Sequence, residues 1–204
     1  MKTIGVIANK GGVGKTTICA ALSVFAIIQG KKIYISDLDP QGSLAEWWNA
    51  RDNEHVPEFL NLRSNEIALA QKSLRSKKAD YFFIDTPPSH LQTIEEVCKN
   101  SDFVLIPCQP SPIDVKAIGE TITIVEDHNK PFAFVINRVV SNTRLAQQAL
   151  VLLSQHGKVA NPVITQRIDF PNTMIDGGTV SDLSQNNKAY GEIKLLWEYV
   201  ESQF

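Results

Sequence analysis

Between an apolar run at residues 3–8, TIGVIA, and a run of helical period at residues 15–30, KTTICAALSVFAIIQG, the chain places NKGGVG, with glycines at Gly11, Gly12 and Gly14. The first run is short and β-branched, as strands are. The second repeats apolar side chains at helical spacing and stops at Gly30, a residue suited to the left-handed turn that closes helices. A strand, a glycine-rich turn and a helix in immediate succession leave few folds open. The same alternation continues through KKIYIS, YFFID, FVLIP, FAFVIN and NPVIT, each separated from the next by helical or turn-forming sequence. The expected class is α/β: a doubly wound, mostly parallel sheet with helices on both faces. Near-continuous apolar character in the strands fits a sheet covered on both sides.

No repeat, low-complexity tract or linker rich in Gly, Pro or Ser divides the 204 residues, so one domain over residues 1–204 is expected. In SLAEWWNARD, the Ser43 to Glu46 spacing predicts a capping box at the start of a second helix. A formal net charge of −2 excludes a chain that binds nucleic acid through overall basicity. Cys19, Cys98 and Cys108 form no CxxC and lie in apolar surroundings, which argues against a disulfide framework or a zinc site and fits a reducing cytoplasm. No stretch approaches the ~20 apolar residues of a membrane span, and the first apolar run is too brief for a secretory signal.

Polar and turn residues collect after the strands, at 9–15, 37–42, 85–89, 107–112 and 137–142. In an open parallel sheet these loops share the carboxyl edge, where ligands bind. Backbone N–H groups of Gly11, Gly12 and Gly14 suit a polyphosphate at a helix N-terminus. Lys15 supplies a point charge for the β and γ phosphates, the Thr16 hydroxyl is a ligand for Mg²⁺, and Thr17 adds a phosphate contact. Asp85, ending YFFID, is placed to hold a metal-bound water, although a strand-end aspartate also serves as a helix cap. Asp37 and Asp39 in DLDPQGS are two positions apart, so an extended chain points both to one side. One suits the metal shell and the other an attacking water, with helix capping as the structural alternative. The pattern GxxxxGK[ST] is broken in one place: Asn9 occupies the first glycine position and Lys10 follows it.

KGGVGKTT, DLDPQGS and FFIDTPP, in this order and spacing, resemble the ParA/MinD family of deviant Walker A ATPases, and the small ParF-like ParA proteins of plasmid partition loci in particular. The resemblance implies an Mg²⁺-dependent ATPase, binding ATP and ADP through Lys10, Gly11, Gly12, Val13, Gly14, Lys15, Thr16 and Thr17. It implies a homodimer formed on ATP, in which Lys10 reaches the partner's phosphates, Lys15 serves its own nucleotide and Asp39 positions the hydrolytic water. Thr16, Asp37 and Asp85 become the magnesium residues. FVINR resembles the family's segment near adenine, which implicates Asn137 and Arg138; a turn residue ending a strand is the alternative for Asn137. PCQPSPIDVKA resembles the dimer-facing switch segment, with Asp114 as an interface candidate and an apolar stripe at Ile113, Ile118, Ile122 and Val125. The implied partners are a ParB-like adaptor and the non-specific DNA of the nucleoid. Positioning of a protein cargo and a metabolic or redox enzyme on the same scaffold are the competing classes.

Membrane-bound relatives carry a basic amphipathic tail. Here Ile193, Leu196, Trp197, Val200 and Phe204 form one helical face, while Lys188 and Lys194 stand against Glu192, Glu198 and Glu201. Anionic lipid repels such a helix, so it is expected to pack on the sheet. From Asn129 to Lys194, Lys130, Arg138, Arg144, Lys158, Arg167, Lys188 and Lys194 outnumber four acids, enough for a weak phosphate-binding stripe or a merely solvated face. RSKK, with Arg75, Lys77 and Lys78, suits a helix C-terminus. Trp47 and Trp48 cannot share one helix face, so one is expected in the core.

Overall fold

In the computed structural model, which describes residues 1–52, 54–111, 118–140 and 143–204, the apolar runs become strands. These are β1 (Lys2–Val6), β2 (Ile33–Asp37), β3 (Glu58–Phe59), β4 (Tyr81–Asp85), β5 (Phe103–Cys108), β6 (Phe132–Ile136) and β7 (Lys158–Val159). Between them run helices α1 (Lys15–Ile28), α2 (Ser43–Ala50), α3 (Ile67–Ser76), α4 (Leu91–Asn100), α5 (Gly119–Asp127), α6 (Arg144–Ser154), α7 (Asp169–Met174) and α8 (Lys188–Glu201), with 3₁₀ turns at Ser64–Glu66 and Val180–Asp182. The strands lie in the order β3-β2-β4-β1-β5-β6-β7, and every pairing is parallel. The connection leaving β1 runs to one side of it and the connection leaving β4 crosses to the other. Their loops diverge at the carboxyl edge and leave a crevice there.

Alternation along each strand divides the core. Ile4, Val6, Ile33, Ile35, Phe83 and Leu105 meet α1 and α8 on one face, whereas Tyr34, Phe82, Ile84, Val104, Ile106 and Phe134 pack under α3 to α6 on the other. Trp197 of α8 is 1% exposed and packs edge-on against Tyr81 at 4.9 Å between ring centroids, which accounts for the apolar stripe of the last helix. Phe204 lies past the end of α8 and is 43% exposed; its ring sits near Tyr81 and Phe103, with the Lys2 ammonium 4.7 Å from its centroid. No helix of the described residues is long and apolar enough to cross a membrane.

Several expectations shift in detail. β3 is only two residues long, too short to show an alternating pattern. NPVIT is not a strand: β7 precedes it, and Thr165 reaches the sheet only as an isolated bridge to Val139. Helix α2 begins at Ser43, but no side chain caps it from its own N-cap position, which Gly42 occupies with φ 68°. Trp47 is the core member of its pair, 3% exposed and donating to the Gly178 carbonyl at 2.9 Å; Trp48 is half-buried, donates to the Pro57 carbonyl and packs on Phe59. Of the stripe expected after β5, Ile118 and Val125 are buried and Ile122 half-buried. Ile113 and Asp114 lie outside the described residues.

Candidate functional site

The turn from β1 into α1 depends on glycine at two points. Gly12 and Gly14 have φ of 74° and 96°, in the left-handed region that side chains disfavour. At Gly14 a Cβ would stand 2.2 Å from Nδ2 of Asn137, so the position is closed to any other residue. Asn137 uses that amide to support the loop: Nδ2 donates to the Val13 carbonyl at 2.8 Å, and Oδ1 accepts the Arg138 N–H at 2.9 Å. Val13 is buried beneath the loop, and Gly11 stands against Pro88.

The two lysines of the loop behave differently. Lys15 is 7% exposed, and its ammonium donates to the Lys10 carbonyl at 3.2 Å. Burial lowers its pKa, and the carboxylates of Asp85 and Asp39 oppose that shift. Lys10 is exposed.

Parallel register brings the acidic residues together. Asp37 and Asp85 are partners in the β2–β4 ladder, so two strand ends far apart in sequence set their carboxylates side by side on the α1 face. The Thr16 hydroxyl donates to Oδ2 of Asp85 at 2.6 Å. Asp37 accepts Asp39 N at 2.9 Å on Oδ1, and Leu44 N and Ala45 N at 2.9 and 3.1 Å on Oδ2. Two orphan amides at the start of α2, those of Leu44 and Ala45, are therefore satisfied by Asp37, where a capping box led by Ser43 was expected. Asp39 closes its own turn by accepting Gln41 N at 2.9 Å. Although β2 ends at Asp37, both carboxylates line one groove of about 420 Å³ with Gly42, Trp48, Phe59 and Asn61.

Burial pushes the Asp85 carboxyl up to about 7, against the Thr16 hydrogen bond and the Lys15 charge and with the help of Asp37. An aspartate whose folded pKa exceeds its unfolded value of 3.8 weakens the fold as pH rises from the lower value through the higher. Asp85→Asn is therefore expected to raise the melting temperature of the nucleotide-free chain at pH 8 by several degrees, with the difference vanishing near pH 4. Melting curves across that range check it.

Beside the loop opens a cavity of about 780 Å³, lined by Gly14, Thr17, Ile18, Asn137, Arg138, Thr165, Arg167 and Phe170 among others. Thr17, Asn137 and Arg138 were expected at a nucleotide; the wall from Thr165 to Pro171 was not. That wall is anchored by Glu192 of α8, which accepts Thr165 N at 3.1 Å and Arg167 Nη2 at 2.8 Å. No motif marks it, because its side chains meet the phosphate loop only through tertiary packing. A further unexpected contact is Gln109, whose Nε2 donates to the Gly12 carbonyl at 3.0 Å.

This arrangement fits a magnesium nucleotide. A cradle that excludes a Cβ, a lysine folded inward, a hydroxyl bonded to an aspartate and an adjoining cavity of nucleoside size are together in one crevice. Among the described residues no group of three or more His, Cys, Asp or Glu is set to hold a metal by itself. A redox cluster shared between subunits would need a surface thiol, whereas Cys19, Cys98 and Cys108 are at most 1% exposed.

The model of the CobQ/CobB/MinD/ParA nucleotide binding domain matches residues 4–180. The chain belongs to this family. Its members are P-loop ATPases, and the seven-stranded parallel sheet is theirs. The carboxysome distribution protein A of Halothiobacillus neapolitanus is 27% identical over 197 residues, covering 92% of this chain and 90% of that protein. MinD of Pyrococcus horikoshii, solved with Mg-ADP, superposes with a TM-score of 0.83 at 16% identity, over 99% of this chain and 96% of that one. A plasmid partition protein of Borrelia burgdorferi superposes at 0.73 and 19% identity, over 100% and 99%. The expectation drawn from KGGVGKTT, DLDPQGS and FFIDTPP is thus met at the level of family and fold.

Proposed function

We propose that the chain is an ATP-driven switch of the ParA type, in which two copies close on ATP, hydrolyse it to ADP and phosphate, and separate, so that a DNA cargo such as a plasmid is positioned. The observation that carries this reading is the contrast between the loop lysines: Lys15 is buried with its ammonium on the Lys10 carbonyl, and Lys10 is exposed. A buried lysine at the loop serves the subunit's own phosphates; an exposed one suits a neighbour's. In this reading Gly11 to Gly14 hold the phosphates by backbone N–H groups, with Thr17 beside them. Asp39 orients the attacking water, and Thr16, Asp85 and Asp37 surround the magnesium position. A magnesium ion held there neutralises charge that develops on the phosphates. Asn137 and Arg138, with the wall from Thr165 to Pro171, frame the base.

For DNA, Arg138, Arg144, Lys158 and Lys188 are exposed, while Arg167 is committed to Glu192. Doubling in a dimer gives a basic surface for weak, salt-sensitive contact with phosphates, which would hold the ATP form on the nucleoid. A ParB-like adaptor then stimulates hydrolysis and release. A second reading, transport of a protein cargo, is favoured by the likeness to the carboxysome distribution protein over 92% of the chain.

Light scattering tests the switch. The wild type is expected to be monomeric alone or with ADP and dimeric with Mg-ATP; Lys10→Ala stays monomeric, and Asp39→Ala remains dimeric after the wild type has hydrolysed its ATP. A wild type that stays monomeric with ATP sinks the reading. Gel mobility shifts over a salt series test the DNA part, which fails if binding ignores both ATP and salt.

A further inference from the structure

We infer that Asn9 is a positioning residue of the phosphate loop, the joint through which remote segments hold the backbone that carries Lys10 and receives Lys15. The Asn9 carbonyl accepts the Ser89 N–H at 3.0 Å and the Ser89 hydroxyl at 3.3 Å, from the loop that follows Asp85. The Asn9 N–H donates to the Thr121 hydroxyl at 3.4 Å, and the side-chain amide donates to a carboxylate oxygen of Glu120. Both of these partners lie in the first turn of α5. Gln109 grips the loop nearby through the Gly12 carbonyl.

The chemistry explains why glycine is absent here. Glycine at position 9 would keep the main-chain bonds and lose the one to Glu120, a charge-assisted bond at the exposed start of α5. The orientation of the amide is dictated by that partner, since two facing oxygens would repel. Its Oδ1 is consequently buried without a hydrogen-bond partner, at the edge of a void of about 10 Å³ bounded by Ala8, Val13, Cys108 and Thr121. The next peptide is the one that matters for the site: the Lys10 carbonyl receives the Lys15 ammonium at 3.2 Å, and the Lys10 side chain leaves from the same residue. Tying down Asn9 therefore preorganises both lysines, and a loop already in its binding conformation loses less entropy when it closes on a ligand.

The inference rests on the nucleotide reading of the site, and the test separates the two. Asn9→Asp sets a carboxylate against Glu120; combining it with Glu120→Gln restores the bond with donor and acceptor exchanged. In fluorescence titrations of the full chain with Mg-ADP, Asn9→Asp is expected to weaken binding about tenfold, the scale of one charge-assisted hydrogen bond, and the double variant to return within about twofold of wild type. Hydrogen exchange in the nucleotide-free chain should accelerate at residues 10–14 and 119–122 in Asn9→Asp and recover in the double variant. Asn9→Gly, which completes the ordinary GxxxxGK[ST] pattern, should weaken binding by about threefold to fivefold and serves if Asn9→Asp does not fold. Unchanged affinity and exchange in Asn9→Asp, or a double variant no better than the single one, overturns the joint. A wild type that binds no nucleotide overturns the reading of the site, and the exchange measurement then judges the joint alone.

Discussion

Replacing Lys15 by alanine is expected to weaken ATP and ADP binding by about a hundredfold, the scale of losing a charged donor from a polyphosphate site, and to leave the fold standing. Lys15 is 7% exposed and, among the described residues, its ammonium donates to the Lys10 carbonyl, so its removal costs the nucleotide-free chain only about 1 kcal/mol. Burial already lowers its pKa, which means that the protein holds this cation against a desolvation cost that phosphate would offset. The Lys15 charge also opposes the rise of the Asp85 pKa. Without it, the Asp85 carboxyl should titrate higher still, so the residual Mg-dependent binding of Lys15→Ala should move to higher pH. Isothermal titration between pH 6 and 9, paired with melting curves, measures both effects. Unaltered affinity would contradict the site as described.

Arg51→Ala is expected to destabilise the chain by about 2–3 kcal/mol, the scale of removing a buried guanidinium with its charged hydrogen bonds while leaving a carboxylate that water can partly reach. The Arg51 side chain is 0% exposed and that of Asp182 18%. The guanidinium donates to both oxygens of Asp182 at 2.9 and 2.8 Å, to the Gly177 carbonyl at 2.8 Å and to the His55 carbonyl at 2.9 Å, and lies 5.5 Å from the centre of the Trp47 ring. It stitches the end of α2 to the 3₁₀ turn at Val180–Asp182, which α1 holds in turn through the Ser181 hydroxyl and the Ala21 carbonyl. Burial alone would raise the Asp182 carboxyl, but Arg51 and Thr179 outweigh it and hold the pKa below 3.8. A depressed folded pKa contributes stability above the unfolded value and loses it as pH falls through the folded one. The gap between wild type and Arg51→Ala should therefore be full at pH 7 and shrink below about pH 4. Urea unfolding at pH 7 and pH 3 checks the magnitude and its direction with pH.

The role of Arg51 has no signal in the primary structure. Asp182 is 131 residues away, and nothing local to either residue announces the pair. The phosphate loop is the opposite case. Gly11, Gly12, Gly14, Lys15 and Thr16 are neighbours in the chain, and a strand before them with a helix after them leaves the turn little choice. Asp37 lies between these extremes. Its place at a strand end was legible, but its capping of Leu44 and Ala45 depends on how the chain turns after β2.

The amino-acid sequence by itself determined the central strands β1, β2, β4, β5 and β6 and the helix after the first of them, and that a phosphate cradle stands where β1 meets α1; the two-residue edge strands β3 and β7 were not legible, and NPVIT reads as a strand but is not one. The legible parts are local matters of periodicity and backbone preference. Only the tertiary structure decided that β4 enters between β2 and β1, which sets Asp85 beside Asp37 and Thr16. It alone brought the Thr165 to Pro171 wall to the cavity and Glu120 to Asn9. The physical reason is that the entropy of closing a loop grows only slowly with its length, so separation along the chain says little about which distant segments meet. Packing of the two faces of the sheet makes that choice.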